Sequence, residues 1–371
     1  MRVIIAAAGT GGHINPGLAI ANIIEKENPG SEIRFIATGK KLEKDLIGKA
    51  GYKSYSIDAY GFSKEISINN FKKMIKTLKG FKEAKKILKE FKPDIVIGTG
   101  GYICGAVISS AKKLKIPTLL HESNAYPGLA IRLLSKKVDT ILVGIEEAKD
   151  GLKKAKRVVY TGTPTKVKPL ELTIKEKNRV MKELGVNSKL PIVLVFGGSQ
   201  GAKRINDCVS EIVKNNLNKD YQLVWATGKE QYDEIKTDFE KTGIDIKKIN
   251  NTSVLPYIYN MDEIMTISDL VVARSGALTL TELALLGKPA IFIPLPSSTA
   301  NRQEDNARVF EKKNAAKIIL NNEVTSNNLN DMIYSIVTKK EVLDEMSSNS
   351  KSLAIYNVEE RIYDEIKRLV G

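Results

Sequence analysis

Two histidines are the whole imidazole complement of this 371-residue chain, and both stand in segments suited to binding a ligand. His13 closes the glycine-rich core of AAAGTGGHINPGLAIA, residues 6–21. His121 opens HESNAYPG, with Glu122 and Asn124 close behind. Histidine is the side chain whose ordinary pKa suits proton transfer near neutral pH. A lone histidine is also commonly a satisfied structural residue. Each ring therefore carries two readings, a general base or a ring fixed by its neighbours. Glu122 is a rival base. A metal site from the two histidines and Glu122 is the weakest reading, because none of these residues has ligand spacing.

Four glycine-rich stretches each follow an apolar run: GTGGH (9–13), GTGGY (98–102), GGSQGA (197–202) and RSGALTLTE (274–282). Glycine permits tight turns and close backbone approach to a ligand. A helix N-terminus behind such a turn offers free N–H groups and partial positive charge, which suits phosphate. Four such loops together point to a phosphate-bearing ligand. A P-loop lysine is absent. A nicotinamide dinucleotide would call for an acidic residue about 20 residues past the glycines. There the chain reads IATGKKLE, with Gly39 and Lys40 where the acid should stand, which disfavours NAD and leaves NADP open on this ground. Glu282 fits two roles. It could accept hydrogen bonds from a ribose diol, or complete the capping box Thr279-x-x-Glu282.

The elements that must position these residues alternate from end to end. Apolar, β-branched runs predict strands at 2–8, 33–38, 54–58, 94–98, 117–121, 140–144 and 157–161. In the second half they fall at 191–196, 221–226, 246–249, 269–273, 289–293 and 315–320. Helical periodicity fills the gaps. Runs such as IVLVF and LVVA are continuous, as in parallel strands covered on both faces. The expected fold class is α/β, with two Rossmann-like, doubly wound parallel-sheet domains facing a cleft. Prolines and a loss of apolar pattern in TGTPTKVKPLEL set the boundary. The expected domains are residues 1–162 and 163–340, with a helical tail over 341–371.

Bulk composition narrows the partners. The formal net charge is +15, which allows nucleic acid, an anionic membrane surface or anionic small molecules. No nucleic-acid motif is present, and such a reading would leave four glycine loops without a purpose. Two distant cysteines give neither a disulfide framework nor a zinc spacing, and read as small buried hydrophobes. MRVIIAAAG is too short an apolar run for a signal peptide and reads as a first core strand. No stretch reaches the ~20 apolar residues of a spanning helix. Residues 71–94 carry Phe71, Met74, Leu78, Phe81, Leu88 and Phe91 at three- and four-residue spacing, among nine lysines. That pattern fits a crossover helix with its stripe on the sheet. It also fits a basic amphipathic helix on an anionic membrane if the stripe is partly uncovered or Gly80 breaks the segment.

At this point the motifs match a known family. GTGGH, GTGGYICGAV, HESNAYPGLAIRLLS, GTPTK, VFGGSQGAKRIND, RSGALTLTELALLGKPAIFIPLP and NRQEDNA follow one another as in the MurG family of GT-B glycosyltransferases, which this chain resembles over nearly its whole length. The resemblance implies an inverting transfer of GlcNAc from UDP-GlcNAc to the C4 hydroxyl of MurNAc in lipid I, the undecaprenyl-pyrophosphoryl-MurNAc-pentapeptide. Lipid II and UDP would be the products. It implies no cofactor, no essential bound metal and no nucleic acid. It also implies peripheral attachment to the cytoplasmic face of the bacterial cell membrane, and a C-terminal helix that returns to the first domain. A diacylglycerol glucosyltransferase or a UDP-GlcNAc 2-epimerase are the alternatives with the same fold.

By the same resemblance, Thr10, Gly11, Gly12 and Asn124 meet the donor from the first domain. Ser199 lies in the phosphate loop of the second. The backbone of Ile258 reads the uracil edge. Ala277, Leu278 and Thr279 belong to the nucleotide turn, with Glu282 on the ribose and Gln303 on the GlcNAc hydroxyls. His13 would sit where the acceptor hydroxyl approaches the anomeric carbon, with Glu122 as the rival base. The family's hinge commonly reads Gly-Asn-Pro-x-Arg. Here it is Gly162-Thr163-Pro164-Thr165-Lys166, and Lys166 as a diphosphate contact keeps the charge without the planar fork of arginine.

Overall fold

A computed structural model describes residues 1–58, 68–167, 169–198, 200–296 and 301–371, and of residues 68–77 the backbone only. The chain divides into two units, Met1–Lys166 with Ile355–Gly371, and Val167–Ala354. In order, the first unit runs β1 (Arg2–Ala7), α1 (Gly11–Glu27), β2 (Glu32–Ala37), α2 (Lys41–Lys49), β3 (Lys53–Ser56) and α3 (Ile68–Phe91). It continues with β4 (Ile95–Gly100), α4 (Ile103–Lys113), β5 (Thr118–Glu122), α5 (Leu129–Leu134), β6 (Thr140–Val143) and β7 (Val158–Tyr160). The second unit holds α6 (Ile174–Leu184), β8 (Ile192–Phe196), α7 (Lys203–Lys214), β9 (Gln222–Ala226), α8 (Tyr232–Lys241), β10 (Thr252–Leu255) and α9 (Met261–Ile267). After these come β11 (Leu270–Ala273), α10 (Ala277–Leu286), β12 (Ala290–Phe292), α11 (Arg302–Lys312), β13 (Ala316–Ile318), α12 (Ser326–Val337) and α13 (Lys340–Ser352). The final helix, α14 (Val358–Val370), belongs to the first unit.

Among the described residues the first sheet has seven strands in the order β3-β2-β1-β4-β5-β6-β7, and the second six in the order β10-β9-β8-β11-β12-β13. The pairings are parallel. Both sheets are doubly wound, as the alternating pattern predicts. Their central strands are buried along their whole length, Ile192–Phe196 and Leu270–Ala273 among them, because helices cover both faces. Cys104 and Cys208 lie buried in these cores as small apolar side chains. Burial pushes the Cys104 thiol up to about 12, so it stays protonated and inert.

Three expectations need correction. The strand expected at 246–249 does not form; the chain there makes a turn, with Asp245 accepting from the Lys247 N–H at 3.0 Å. The strand is Thr252–Leu255 instead, in register with Leu223–Ala226 of β9. The units divide after Lys166 rather than after Gly162. The returning tail is 355–371, not 341–371, because α13 packs on α10 and α12 of the second unit. Val358, Ile362 and Ile366 of α14 are buried in the first unit's core with Ile5, Ile20 and Ile24. Arg157 and Arg368 hold the α14 carboxylate Glu365 at 2.5 and 2.8 Å, and the Arg157 hydrogen bond lowers its pKa.

The stripe on α3 divides. Leu88 and Phe91 are core and Phe81 is half-buried, but Leu78 is 58% exposed. The side chains of Phe71 and Met74 lie outside the described residues. Gly80 does not break the helix; it lets α3 pass the Asp58 carbonyl, which an added Cβ would meet at 1.9 Å.

Candidate active site

In each sheet the strand order reverses between two central strands, β1 and β4 in the first and β8 and β11 in the second. Open parallel sheets bind ligands at the carboxyl ends of strands at such a reversal. The four glycine-rich stretches stand at those four strand ends.

In the first unit the two loops touch. Ala7 pairs with Gly100 across a register shift in the β1–β4 ladder. Gly100, at φ +123°, lies so close to His13 that an added Cβ would fall 2.4 Å from the ring's Cδ2. Gly101, at φ +84°, approaches the Ala8 carbonyl in the same way, at 2.6 Å from an added Cβ. His13 is not in a loop: α1 begins at Gly11, so the ring stands in the helix's first turn. Thr10 is the N-cap and makes no side-chain cap, which leaves the N–H groups of Gly11 and Gly12 without an intrahelical or capping partner at a half-exposed helix start. His13 Nδ1 lies 2.9 Å from the Ala8 carbonyl oxygen. A carbonyl can only accept, so Nδ1 carries the proton and the neutral ring keeps its lone pair on Nε2. The Thr99 hydroxyl donates to the His13 carbonyl at 2.7 Å and pins the turn from β4.

His121 does not stand in an open ligand-binding segment. It is inside β5 and 1% exposed, with Nε2 3.2 Å from the Gly162 carbonyl. Burial pulls its pKa down to about 4. It is a neutral ring that ties β5 to the segment ending the unit. Glu122 is also buried. Its Oε1 accepts from the Asn124 N–H and side-chain amide at 2.9 Å each, and its Oε2 from the Gly128 N–H at 2.7 Å. Those bonds occupy both oxygens and fold the loop that presents Asn124. Lys166 is exposed at the end of the unit.

In the second unit, α7 begins directly after GGSQGA with Ala202 as an N-cap that supplies no side-chain bond. Gly201, at φ +82°, passes the Thr227 carbonyl, 2.0 Å from where its Cβ would be. Ser199 lies outside the described residues. Helix α10 begins at Ala277 with Gly276 as N-cap, again without a side-chain cap. The orphan N–H groups of its first turn belong to Ala277, Leu278 and Thr279. This overturns the capping-box reading: Thr279 is the third residue of the helix, not its cap, and Glu282 is a turn further on, half-buried. Gln303, in the first turn of α11, is drawn to the same turn. Its backbone carbonyl accepts from the Ser275 hydroxyl at 2.7 Å, and its side-chain oxygen from the Leu295 N–H at 2.9 Å. Ile258 lies after the edge strand β10 with its side chain buried, which leaves backbone groups as its means of contact.

Several supporting residues carry no motif. Glu43 holds the first loop: it is fully buried and accepts the Gly9 N–H at 2.8 Å. The signal for it was an acid just past the second strand, three residues beyond Lys40, where the dinucleotide reading sought one. Asn206 braces the third loop, donating to Thr227 O at 2.8 Å and Gln231 at 2.9 Å and accepting from Trp225 at 2.9 Å. Arg274 joins the ends of β11 and β12 through the Ile293 and Pro294 carbonyls. No group of three or more His, Cys, Asp or Glu side chains is placed to hold a metal ion among the described residues.

Two doubly wound parallel sheets with uncapped helix N-termini at their reversals are the GT-B architecture. The chain matches the glycosyltransferase family 28 N-terminal domain over residues 3–143 and the C-terminal domain over 192–362. It is 42% identical over 371 residues to the UDP-N-acetylglucosamine--N-acetylmuramyl-(pentapeptide) pyrophosphoryl-undecaprenol N-acetylglucosamine transferase of Acetivibrio thermocellus, covering 100% of this chain and 98% of that one. A crystal structure of Acinetobacter baumannii MurG superposes with a TM-score of 0.77 at 27% identity, over 99% of this chain and 100% of that one. The chain belongs to the MurG family. A UDP-GlcNAc 2-epimerase from Neisseria meningitidis superposes with a TM-score of 0.67 at 16% identity, over 99% of this chain and 100% of that one, and shares the fold alone.

Proposed function

We propose that this chain transfers GlcNAc from UDP-GlcNAc to the C4 hydroxyl of MurNAc in lipid I, giving lipid II and UDP. The observation that carries the mechanism is the His13 ring, whose Nδ1–H is fixed on Ala8 O and whose Nε2 is left as the base. The acceptor hydroxyl gives its proton to Nε2 as its oxygen bonds to the anomeric carbon. The bond from that carbon to the phosphate oxygen breaks in line, so the configuration inverts and UDP leaves. Preorganised N–H groups suit the charge that develops on the leaving diphosphate. Those of α10 at Ala277, Leu278 and Thr279 and those of the loop holding Ser199 take this role, with Lys166 as the cation. Glu282 takes the ribose, Gln303 the sugar hydroxyls and the Ile258 backbone the uracil. Thr10, Gly11, Gly12 and Asn124 complete the donor contacts. Glu122, with both oxygens engaged in its own loop, shapes that loop and leaves proton transfer to His13.

The lipid acceptor requires a membrane surface. No helix among the described residues is long and apolar enough to cross one. We assign peripheral attachment to the cytoplasmic face of the cell membrane to α3, where exposed Leu78 stands beside the exposed lysines Lys79, Lys82, Lys85, Lys86 and Lys89. The deciding experiment is UDP release from UDP-GlcNAc with and without a lipid I analogue, in EDTA. Acceptor-dependent release with a disaccharide product is expected. Release that ignores the acceptor, or conversion of UDP-GlcNAc alone, would overturn the assignment and favour an epimerase.

A further inference from the structure

The Ala8–Gly9 peptide group is hydrogen-bonded on both edges, and its two partners are a buried carboxylate and His13. On one edge the Gly9 N–H donates to Glu43 Oε1 at 2.8 Å. On the other the Ala8 carbonyl accepts from His13 Nδ1 at 2.9 Å. A trans peptide is planar, with its N–H and C=O directed oppositely, so it joins the two groups as a rigid bar. Gly9 has φ +100°, a conformation glycine takes without strain, and the turn made there brings the first turn of α1 back over Ala8.

Glu43 is 0% exposed. Besides Gly9 it accepts from the Thr38 N–H at 2.8 Å, the Thr38 hydroxyl at 2.8 and 2.9 Å, and the Lys40 N–H at 3.3 Å. These partners are backbone N–H groups and one hydroxyl. The carboxylate is thus held in one orientation beside the end of β2, with Oε1 on the Gly9 N–H. Hydrogen bonds in series polarise one another. An amide whose N–H is drawn to a carboxylate has a more negative carbonyl oxygen, and that oxygen binds the imidazole N–H more strongly.

We propose that Glu43 is a positioning residue for the transfer reaction, acting on His13 through the Ala8–Gly9 peptide group to keep the proton on Nδ1 and the lone pair on Nε2. The arrangement does across one peptide what a carboxylate does by direct contact with histidine in a hydrolase triad. It rests on His13 being the base.

The test uses the full chain labelled with 15N-histidine, which gives two imidazole signal sets because the chain has two histidines. In the unsubstituted protein, with the ring neutral, His13 should be the Nδ1–H tautomer. Glu43→Gln keeps the size but presents a donor to one of the N–H groups. It should mix the His13 tautomers and lower kcat about tenfold or more. The UDP-GlcNAc KM should hardly move, while the thermal midpoint falls, because the buried amide donor faces a backbone N–H that the carboxylate accepted. A folded Glu43→Gln protein with an unchanged His13 tautomer overturns the proposal, as does activity that falls only with the folded fraction. Should that variant not fold, the unsubstituted protein decides. Labelling with 13C′-alanine and 15N-glycine selects two peptides, 8–9 and 50–51. The Gly9 amide shift should follow His13 protonation, and a Gly9 amide indifferent to it overturns the proposal. If His13→Ala retains turnover, the base assignment fails, whereas the tautomer and the Gly9 shift still decide the coupling to Glu43.

Discussion

Gly100 and His13 occupy one space: a methyl group on Gly100 would stand 2.4 Å from the ring's Cδ2 and 2.9 Å from Nε2. No rearrangement short of moving the ring accommodates it, and Gly100 is also at φ +123°. Gly100→Ala should therefore displace the imidazole as well as strain β4. Its expected signature is that of His13→Ala, a fall in kcat on the order of a hundredfold or more. UDP affinity, measured by calorimetry, should stay within a few-fold. Equal loss of kcat and UDP affinity would mean the substitution has damaged the unit rather than the base.

Glu282 gives a prediction that separates two roles. As a capping partner it would be worth ~1 kcal/mol of stability when removed. The helix starts at Ala277, so that role does not exist here. Glu282→Ala should weaken UDP binding about tenfold or more, the scale of a lost charge-assisted hydrogen-bond pair. Deoxyuridine diphosphate should lose less affinity to the substitution than UDP does. Unchanged UDP affinity would remove Glu282 from the ribose.

The returning helix α14 is tested by its buried face. Ile362 and Ile366 are 0% exposed in a core shared with β1 and α1. Ile362→Ala should cost roughly 2–5 kcal/mol, the range for buried aliphatic truncation. The loss should appear in the first unit. Trp225 is the chain's one tryptophan and lies in the second unit, so its fluorescence should be blind to this change while circular dichroism is not. A shifted Trp225 transition would show that the units unfold together.

The strands and the four glycine loops were legible because continuous apolar runs and glycine turns are local signals. Their convergence on the two reversals follows from the strand order, which no local pattern states. Failures came where a local rule had a competitor. Ile246 and Ile249 gave a strand-like pattern, but Asp245 closes a turn on them and the ladder to β9 is made by Thr252–Leu255. Thr279-x-x-Glu282 is a capping box in letters only, since Gly276 starts the helix first. Glu43 had only a faint signal, an acid just past the second strand, and a single acid in a helix is ordinary; its inward turn toward Gly9 distinguishes it.

His121 carries the pH prediction. Burial pulls its pKa down to about 4, against an ordinary value of 6.5 in the unfolded chain. Between these two values the unfolded state binds the proton and the folded state does not. Stability therefore rises with pH across the window from 4 to 6.5 and is lost as the solution is acidified through it. A shift of that size corresponds to about 3 kcal/mol over the whole window. Acidic groups also contribute to the slope, so the measurement is a difference. His121→Gln removes the titrating ring but keeps an N–H that can reach the Gly162 carbonyl, the partner of Nε2 at 3.2 Å. Urea unfolding followed by circular dichroism at pH 7, 6, 5 and 4 should show the variant losing less stability on acidification than the parent. Parallel curves for the two proteins would mean that His121 takes up its proton while folded, and that the ring is not the buried neutral tie between β5 and Gly162.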